Sequence, residues 1–318
     1  MAFERIVIFE AALTTARRHH FALAFAAPRA ILTLHVRFVT CEGNVSFSFH
    51  SRVLVAGLSV LLFAGEATAG NDAREQEFVR FIGPAYPLFL AKAGLWKTNP
   101  AEMQELAGKA AKALSAVAPA GCDAARFQRD FCGMTMQTMP ASSMAPSLQE
   151  GEVLMTRPYS GTTPKRGDII VFSSKYYASP DKPVLYVKRL IGLPGEKVEL
   201  HDGTVFVDGK AFAAVPTDRT MTDLFGNAAR ILEETTPEGR RYETAMTDRA
   251  IAGQDEAGPF EVPAGHYFVL GDNRHNSVDS RFPAQFSENG FISAKDVSGE
   301  AVVIFVSPHP DRIGTLLE

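Results

Sequence analysis

The sequence has few cysteines, no excess of positive charge and no long hydrophobic run. Its 318 residues include three cysteines, none with CxxC or Cys/His spacing, so no zinc or other metal site is predicted. The formal net charge is −4, so the chain lacks the excess of positive charge that is typical of nucleic-acid-binding proteins. Hydrophobic residues make up 46% of the chain, enough for a sizeable core in one large or two smaller domains. We expect no cofactor, and the composition does not indicate an oligomeric state.

The longest apolar run is too short to span a bilayer comfortably. Arg52 precedes an apolar stretch of about 12 residues, from Val53 to Ala64, whereas a membrane-spanning helix needs about 20. The small residues Ala67 and Ala69 follow it, and this order is typical of a secretory signal. We therefore interpret residues 53–70 as an export signal or short membrane anchor; a buried core helix is the alternative.

Residues 1–52 form an unassigned N-terminal extension without a fold signal. They are rich in Ala, Phe, Arg and His and poor in acids. The late position of the export signal is explained if the true start of the chain lies downstream of Met1. Because no methionine lies between Met1 and Met103, that explanation requires an alternative initiation codon.

Residues 71–132 are predicted to be a largely helical segment. Asn99, Pro100 and Glu102 offer an N-cap, a proline at the first helical position and a carboxylate at the third, which predicts the start of a helix. Apolar residues recur at helical spacing from Met103 to Val117. We expect this helix to belong to a small subdomain without catalytic residues.

Cys122 and Cys132 lie ten positions apart in the same segment. An oxidising compartment would allow a disulfide between them, whereas a reducing cytosol would favour two free thiols. The choice therefore depends on whether the chain is exported.

From residue 133 to about 310 the sequence changes to short strands separated by turns. The predicted strands are β-branched or aromatic runs bounded by Gly, Pro and Asp, at Gly167–Phe172, Val184–Leu193, 197–200, 204–212, 266–272 and 300–306. Asp208-Gly209 is a hairpin signal. The predicted fold class is therefore mainly β, an antiparallel domain preceded by a small helical segment. Residues 217–260 are polar and turn-rich and are interpreted as an insertion, and residues 311–318 as a tail.

Two serines between prolines lie just before the predicted strands. Pro140 and Pro146 fix their own φ and favour extended geometry in the residues before them, so the hydroxyls of Ser142 and Ser143 are expected to be accessible. A nucleophilic serine needs a base. His275 lies in "GDNRHNSVDSRF", but no Gly-x-Ser-x-Gly turn accompanies it, so a histidine-based triad is not favoured.

Lys188 is the other candidate base. It lies within the apolar run "VLYVKRLIGL", where burial lowers the pKa of an amine. Lowering that pKa from about 10.4 to near 7 disfavours the charged form by roughly 4.6 kcal/mol, which is within reach of burial. The alternative is that Lys188 extends to solvent or pairs with an acid, as most lysines do.

Four segments together resemble a known family. In order along the chain, "SSMAPSL", "RGDIIVF", "VKRLIGLPGEKV" and "GDNRHNSVDSR" resemble the successive signature boxes of bacterial type I signal peptidases, which are membrane-associated Ser/Lys proteases. One box alone is a weak signal, but four in the right order are specific. The resemblance implies a signal-peptidase-like domain of coiled antiparallel sheets at residues 133–310. It also implies a serine endopeptidase that removes signal peptides after small-x-small residues through an acyl-enzyme.

The resemblance implies a role for each matching residue. Ser143 would be the nucleophile and Lys188 the general base, and the backbone N–H of Ser143 would stabilise the oxyanion. Ser277 would orient the lysine amine, and Asp279 with Arg281 would form a supporting ion pair. Three neighbours are expected to hold the local structure: Arg189, Asp272 and Asn273.

The chain departs from the family pattern at several points. Ala141 stands where many members have Ser or Gly, so a hydroxyl donor to the oxyanion is absent, and loss of such a donor costs about 2.7–4 kcal/mol in the transition state. Ser142 replaces a usual Gly and is expected to stiffen the loop. His275 replaces a usual Asp and is expected to add pH sensitivity. The helical segment 71–132 stands where members have a transmembrane helix.

The resemblance also implies how substrate binds and where. An extended peptide would pair with an exposed sheet edge beside the strand that leads into Ser143. The partners would be pre-protein signal peptides and the membrane surface, at the outer face of the inner membrane or in the periplasm. Residues expected at an apolar rim or membrane contact are Phe131, Met134, Met136 and Met139.

Two other functions remain open from the sequence. One is a Ser/Lys protease with a specialised or self-directed substrate. The other is a weakly active or non-catalytic exported relative that binds peptides through its sheet edge.

Overall fold

The computed structural model describes residues 73–92, 94, 99–174, 184–222, 226–287 and 289–317. These residues belong to one compact unit, Ala67–Glu318. The predictions for residues 1–52 and for the export signal at residues 53–70 therefore lie outside the described residues.

Within the part of the chain that the structure describes, three helices precede the first strand: α1 (Ala73–Lys92), α2 (Pro100–Val117) and α3 (Ala124–Asp130). The predicted start of α2 is confirmed, since the side chain of Asn99 accepts a hydrogen bond from the backbone N–H of Glu102 at 2.9 Å. Among the helices of the described residues, none is both long and apolar enough to cross a bilayer.

The helical segment shares a hydrophobic core with the β region. Ile82 of α1 and Leu114 of α2 belong to the same buried cluster as Val303 and Phe305. The hydroxyl of Tyr86 donates a hydrogen bond to the carbonyl of Phe305 at 2.5 Å. Because these contacts join α1 and α2 to the last long strand, the helices and the β region share one packed core.

Cys122 and Cys132 form a disulfide. Of the two alternatives that the sequence left open, the structure shows the bonded one. The bond links the turn before α3 to the 3₁₀ turn at Phe131–Gly133, immediately before the first strand. It therefore fixes the passage from the helices into the β region.

Fourteen strands and a short helix follow within the described residues. The strands are β1 (Thr135–Thr138), β2 (Val153–Arg157), β3 (Ile169–Ser174), β4 (Val184–Gly192), β5 (Lys197–His201), β6 (Thr204–Val207), β7 (Lys210–Ala211), β8 (Ala213–Thr222), β9 (Ala228–Thr235), β10 (Arg241–Thr247), β11 (Ala257–Glu261), β12 (His266–Leu270), β13 (Ile292–Ser293) and β14 (Val297–Val306). The short helix is α4 (Pro283–Phe286).

The strands form three antiparallel sheets. The main sheet has seven strands in the order β1-β2-β14-β3-β4-β12-β13, and the two smaller sheets have the orders β11-β5-β6-β7 and β10-β9-β8. Asp208 and Gly209 connect β6 and β7 with φ of 49° and 75°, which is the backbone that a two-residue hairpin turn needs. The predicted fold class, mainly antiparallel β after a helical segment, is confirmed.

The segment predicted as an insertion, residues 217–260, forms most of the three-stranded sheet and part of β11 in the four-stranded sheet, and ion pairs fix it to the residues just before β3. At the turn between β9 and β10, Arg240 pairs with Asp168 and Glu238 with Arg166 at 3.0 Å. Gly167 lies between these partners with φ of +92°, and a Cβ there would lie 2.5 Å from Cδ of Arg240. Glycine alone fits this position, because it has no Cβ and adopts positive φ without strain.

Candidate active site

The loop between β1 and β2, residues 139–152, is called the serine loop because it carries Ser143 across the main sheet toward Lys188 of β4. In the strand order β1 and β4 lie four positions apart, which is about 19 Å at the usual strand spacing. Met144 and Leu148 of the loop pack against Leu154 of β2 and the apolar residues of β3 and β14. This apolar contact with the intervening strands fixes the path of the loop, and so the position of Ser143.

The amine of Lys188 contacts the hydroxyls of both Ser143 and Ser277. Nζ of Lys188 lies 2.7 Å from Oγ of Ser143 and 3.0 Å from Oγ of Ser277. Lys188 is only 4% exposed and Ser277 only 6% exposed. Two serine hydroxyls therefore hold one buried amine in a fixed direction, from segments that lie 45 and 89 positions away in the sequence.

The pKa of the Lys188 amine is lowered toward neutral pH. Burial lowers its pKa from 10.5 to about 8; the nearby Arg281 also lowers the pKa, while Asp279 and Asp272 raise it. Removal of water from the ammonium outweighs the attraction of the two carboxylates. A neutral amine within hydrogen-bonding distance of a serine hydroxyl can act as a general base.

Asp279 and Arg281 form a buried ion pair beside Lys188. The distance from Nη2 of Arg281 to Oδ2 of Asp279 is 2.8 Å. Burial would raise the pKa of Asp279, but the Arg281 guanidinium and Lys188 hold it below its ordinary value. Oδ2 of Asp279 also accepts a hydrogen bond from the backbone N–H of Gly271 at 3.0 Å. The pair fixes the turn that carries Ser277.

Gly271 allows the segments that carry Ser143 and Ser277 to approach each other. A Cβ at this position would lie 2.2 Å from Oγ of Ser277 and 2.6 Å from the carbonyl oxygen of Ser143. Neither distance is compatible with a side chain. The sequence analysis did not single out Gly271, although its place at the start of "GDNRHNSVDSR" was a usable signal.

Two asparagines of the Ser277 segment hold the serine loop. Asn273 donates its backbone N–H to the carbonyl of Ser143 and its amide to the carbonyl of Ser142, both at 3.1 Å. Asn276, which the sequence analysis also missed, donates its amide to Oγ of Ser142 at 3.0 Å. Among the described residues none accepts the backbone N–H of Ser143, so this donor is available to a bound oxyanion.

Arg189 and Asp272 lie behind the site as a second buried ion pair. Nη2 of Arg189 lies 2.7 Å from Oδ2 of Asp272, and both side chains are 1% exposed. The guanidinium also stacks 4.0 Å from the ring centre of Tyr242 in β10. The structural role predicted for Arg189 and Asp272 agrees with these contacts, which join β4 to the three-stranded sheet.

The ring of His275 has partners on both of its nitrogens. Its Nδ1 accepts the backbone N–H of Thr247 at 3.1 Å and lies 3.1 Å from the hydroxyl of the same residue, and its Nε2 lies 2.8 Å from Oδ1 of Asp255. These contacts join the segment around Ser277 to the end of β10. The pH sensitivity expected from His275 stays a prediction.

A family model described as signal peptidase, peptidase S26, matches residues 121–306, more than half of the 318 residues. The chain belongs to the signal peptidase family. Signal peptidase I of Bacillus licheniformis is 35% identical over 167 residues, which cover 52% of this chain and 72% of that protein. Signal peptidase I of Pseudomonas fluorescens is 32% identical over 200 residues, which cover 54% of this chain and 65% of that protein.

A crystal structure of signal peptidase I from Enterococcus faecalis V583 also matches. It is 32% identical, with 44% of this chain and 97% of that chain covered, at a TM-score of 0.25. The family match begins just before Cys122 and ends with β14. Helices α1 and α2 therefore lie outside the region that this chain shares with the signal peptidase family model.

The strand that leads to the serine loop of this signal peptidase family member has a free edge. β1 is at the edge of the main sheet, and no other described strand pairs with its outer side. Such an edge has main-chain groups of the kind that bind extended peptides.

The predicted apolar rim is only partly correct. Phe131 and Met136 are 37% exposed, as a rim requires. Met134 and Met139 are buried in two separate hydrophobic clusters, so the prediction for these two residues is wrong. Their side chains fill the core beneath the strand, which single-sequence patterns do not distinguish from surface methionines.

Proposed function

We propose that Ser143 and Lys188 are the catalytic dyad of this family member and that the chain removes signal peptides from pre-proteins. Membership of the signal peptidase family makes the chain a serine endopeptidase. The single observation that carries the dyad is the 2.7 Å contact between Nζ of Lys188 and Oγ of Ser143, made by a buried amine with a pKa of about 8. The structure describes no other lysine in such a contact with a serine loop.

The reaction would proceed through an acyl-enzyme. Neutral Lys188 takes the proton of Ser143 as Oγ forms a bond to the scissile carbonyl carbon, and the lysine then gives that proton to the leaving amine as the C–N bond breaks. The backbone N–H of Ser143 stabilises the oxyanion. Lys188 next takes a proton from water as its oxygen attacks the ester carbon, and it gives that proton to Oγ of Ser143 as the ester C–O bond breaks, which restores the hydroxyl and the neutral amine. Ser277 and the Asp279–Arg281 pair are positioning residues that act through Lys188.

Substrate binding would use the free edge of β1. An extended peptide beside this edge gains main-chain hydrogen bonds, so its backbone is recognised irrespective of most side chains. We further propose that the chain is exported and works at the outer face of the inner membrane or in the periplasm. The Cys122–Cys132 disulfide supports an oxidising compartment.

Cleavage of a pre-protein by the full chain tests this function. The variants are Ser143→Ala and Lys188→Ala, with Lys210→Ala as the matched control, since Lys210 is exposed. We expect cleavage after a small-x-small sequence, read by mass spectrometry, that is lost in the first two variants and kept in Lys210→Ala.

The pH profile provides a second readout. We expect kcat/KM to rise about tenfold per pH unit until pH approaches 8, the pKa of Lys188. Cleavage that survives in Ser143→Ala would contradict the dyad. Peptide binding without cleavage by the wild-type chain would favour the non-catalytic, peptide-binding alternative.

A further inference from the structure

The segment after β14, residues 307–317, folds back onto the main sheet and is called the return segment. Strand β3 pairs with β14 only as far as Glu300, and the return segment lies beside the residues of β14 that follow. The backbone N–H of Leu317 donates a hydrogen bond to the carbonyl of Val302 at 3.0 Å. The family match ends at residue 306, so the return segment lies outside the region shared with the family model.

The return segment is packed into two hydrophobic clusters. Ile313 is buried in the cluster that contains Leu114 of α2. Leu317 is buried in the cluster that contains Met144 and Leu148 of the serine loop. The return segment therefore shares one core with the helices and another with the serine loop.

Arg312 of the return segment makes three contacts with the serine loop. Its Nε lies 2.6 Å from Oε1 of Glu152, and its Nη2 lies 3.2 Å from Oε2 of the same carboxylate. Nη2 also lies 2.8 Å from the carbonyl oxygen of Ser147. A guanidinium that bonds to both oxygens of a carboxylate fixes direction as well as distance. Arg312 therefore holds two points of the serine loop that follow Ser143 in the chain.

Glu152 is a buried charge that needs this partner. Its side chain is fully buried and also accepts hydrogen bonds from the hydroxyl of Ser307 at 2.9 Å and from the backbone N–H of Gln149 at 2.8 Å. Within the described residues Arg312 is the cation that pairs with it. A buried carboxylate is costly unless it is paired and hydrogen-bonded. The loop conformation that buries Glu152 therefore depends on Arg312.

One hydrogen-bonded turn connects Ser147 to Ser143. The backbone N–H of Leu148 donates to the carbonyl of Met144 at 2.9 Å, so Ser147 belongs to the turn that begins directly after Ser143. A displacement of Ser147 is passed through this turn and changes the 2.7 Å distance between Oγ of Ser143 and Nζ of Lys188. A misplacement of about 1 Å costs about 100-fold in rate.

We propose that Arg312 is a positioning residue for Ser143. It joins the buried carboxylate of Glu152 to the carbonyl of Ser147, and the serine loop then holds the Ser143 hydroxyl within hydrogen-bonding distance of Lys188. The proposal rests on the proposed protease function and adds to it a residue outside the region of the family match. Because Arg312 acts through the serine loop, its effect falls on the chemical step and not on binding at the β1 edge.

Cleavage kinetics of Arg312→Ala in the full chain test the proposal, measured below the Tm of each variant. Arg157→Ala is the matched control, because Arg157 also pairs with a carboxylate, that of Glu300, at 2.8 Å. Within the described residues its hydrogen bonds go to Glu300 and to the carbonyl of Val117, away from the serine loop. We expect kcat of Arg312→Ala to fall about 10- to 100-fold at an unchanged KM, with kcat of the control unchanged.

Guanidinium ion provides a readout that a loss of stability does not move. The Arg312 side chain is 21% exposed, so a small cation can enter the space left in Arg312→Ala and bond to Glu152. Millimolar guanidinium chloride is far below the concentrations that unfold proteins, and sodium chloride at the same concentration controls for ionic strength. We expect guanidinium to raise kcat of Arg312→Ala about tenfold and to leave the wild-type chain and Arg157→Ala unchanged.

A second variant, Arg312→Lys, is used if Arg312→Ala does not fold. Lysine keeps a positive charge beside Glu152 but lacks the planar fork that reaches several acceptors together. We expect this variant to keep a Tm close to that of the wild-type chain. Its kcat is expected to fall several-fold at an unchanged KM, because the contact with Ser147 is lost.

Each other outcome has a distinct meaning. An unchanged kcat in folded Arg312→Ala, or in Arg312→Lys where only that variant folds, would overturn the proposal and leave the protease function intact. A loss of kcat that Arg157→Ala shares, or that guanidinium does not reverse, would show a general effect of stability and would also overturn the proposal. Failure of the wild-type chain to cleave a pre-protein would instead contradict the proposed function, and the positioning role with it.

Discussion

Replacing Lys188 by methionine should remove a pH dependence of stability that the wild-type chain has. Burial lowers the pKa of Lys188 from 10.5 to about 8. Between these values the unfolded chain binds a proton that the folded chain does not, so the stability of the wild-type protein rises with pH in this window. Linkage between the two pKa values gives a gain of about 2.5 kcal/mol from pH 7 to pH 10. Methionine has a similar length and no proton to lose, so the variant lacks this gain.

Urea unfolding of both proteins at pH 7, 8, 9 and 10 measures the effect. The contributions of the other titrating groups cancel when the free energies of unfolding of the two proteins are subtracted. Lys210→Met serves as the control, because Lys210 is exposed. We expect the wild-type protein to gain about 2.5 kcal/mol relative to Lys188→Met over this range, and no such change for the control. A difference that is constant across these pH values would refute the conclusion that the amine is held away from water.

Three further substitutions test the contacts around the site. Asp272→Ala leaves the Arg189 guanidinium buried without its partner. We therefore expect the free energy of unfolding, measured in urea, to fall by about 3–5 kcal/mol. A fall below about 1 kcal/mol, the scale of an exposed ion pair, would contradict the burial of this pair. Gly271→Ala places a methyl group against Ser277, and we expect kcat to fall about 100-fold, the scale of a 1 Å misplacement, with an unchanged kcat as the contrary result. Breaking the Cys122–Cys132 bond by substitution with serine should cost about 3 kcal/mol for a loop of this length, seen as a lower Tm, and an unchanged Tm would show that the bond does not constrain the chain.

Local patterns in the sequence predicted the elements of the fold. The Asn99 cap, the Asp208-Gly209 turn and the apolar runs of the strands depend on residues close together in the chain, and the structure has each of them. The family resemblance predicted that Ser143 and Lys188 form a pair, and the structure places their side chains in contact. Their catalytic roles stay a prediction until activity is measured.

Contacts between distant residues could not be predicted from the sequence. Arg189 pairs with Asp272, which lies 83 positions away in the sequence. No local sequence pattern indicates that these two residues are partners. The same holds for His275, whose partners Thr247 and Asp255 come from the segment interpreted only as an insertion. Burial of Met139 likewise depends on strands that follow it in the sequence.

The most direct test of the account is the pKa of the Lys188 amine itself. An NMR titration of the side-chain Cε of lysine, with the Lys188 signal assigned by its absence in Lys188→Met, reports this value in the folded protein. The account predicts a midpoint at about 8. A midpoint near 10.5, the ordinary value for lysine, would show that the amine stays charged at neutral pH and would contradict its role as the base for Ser143.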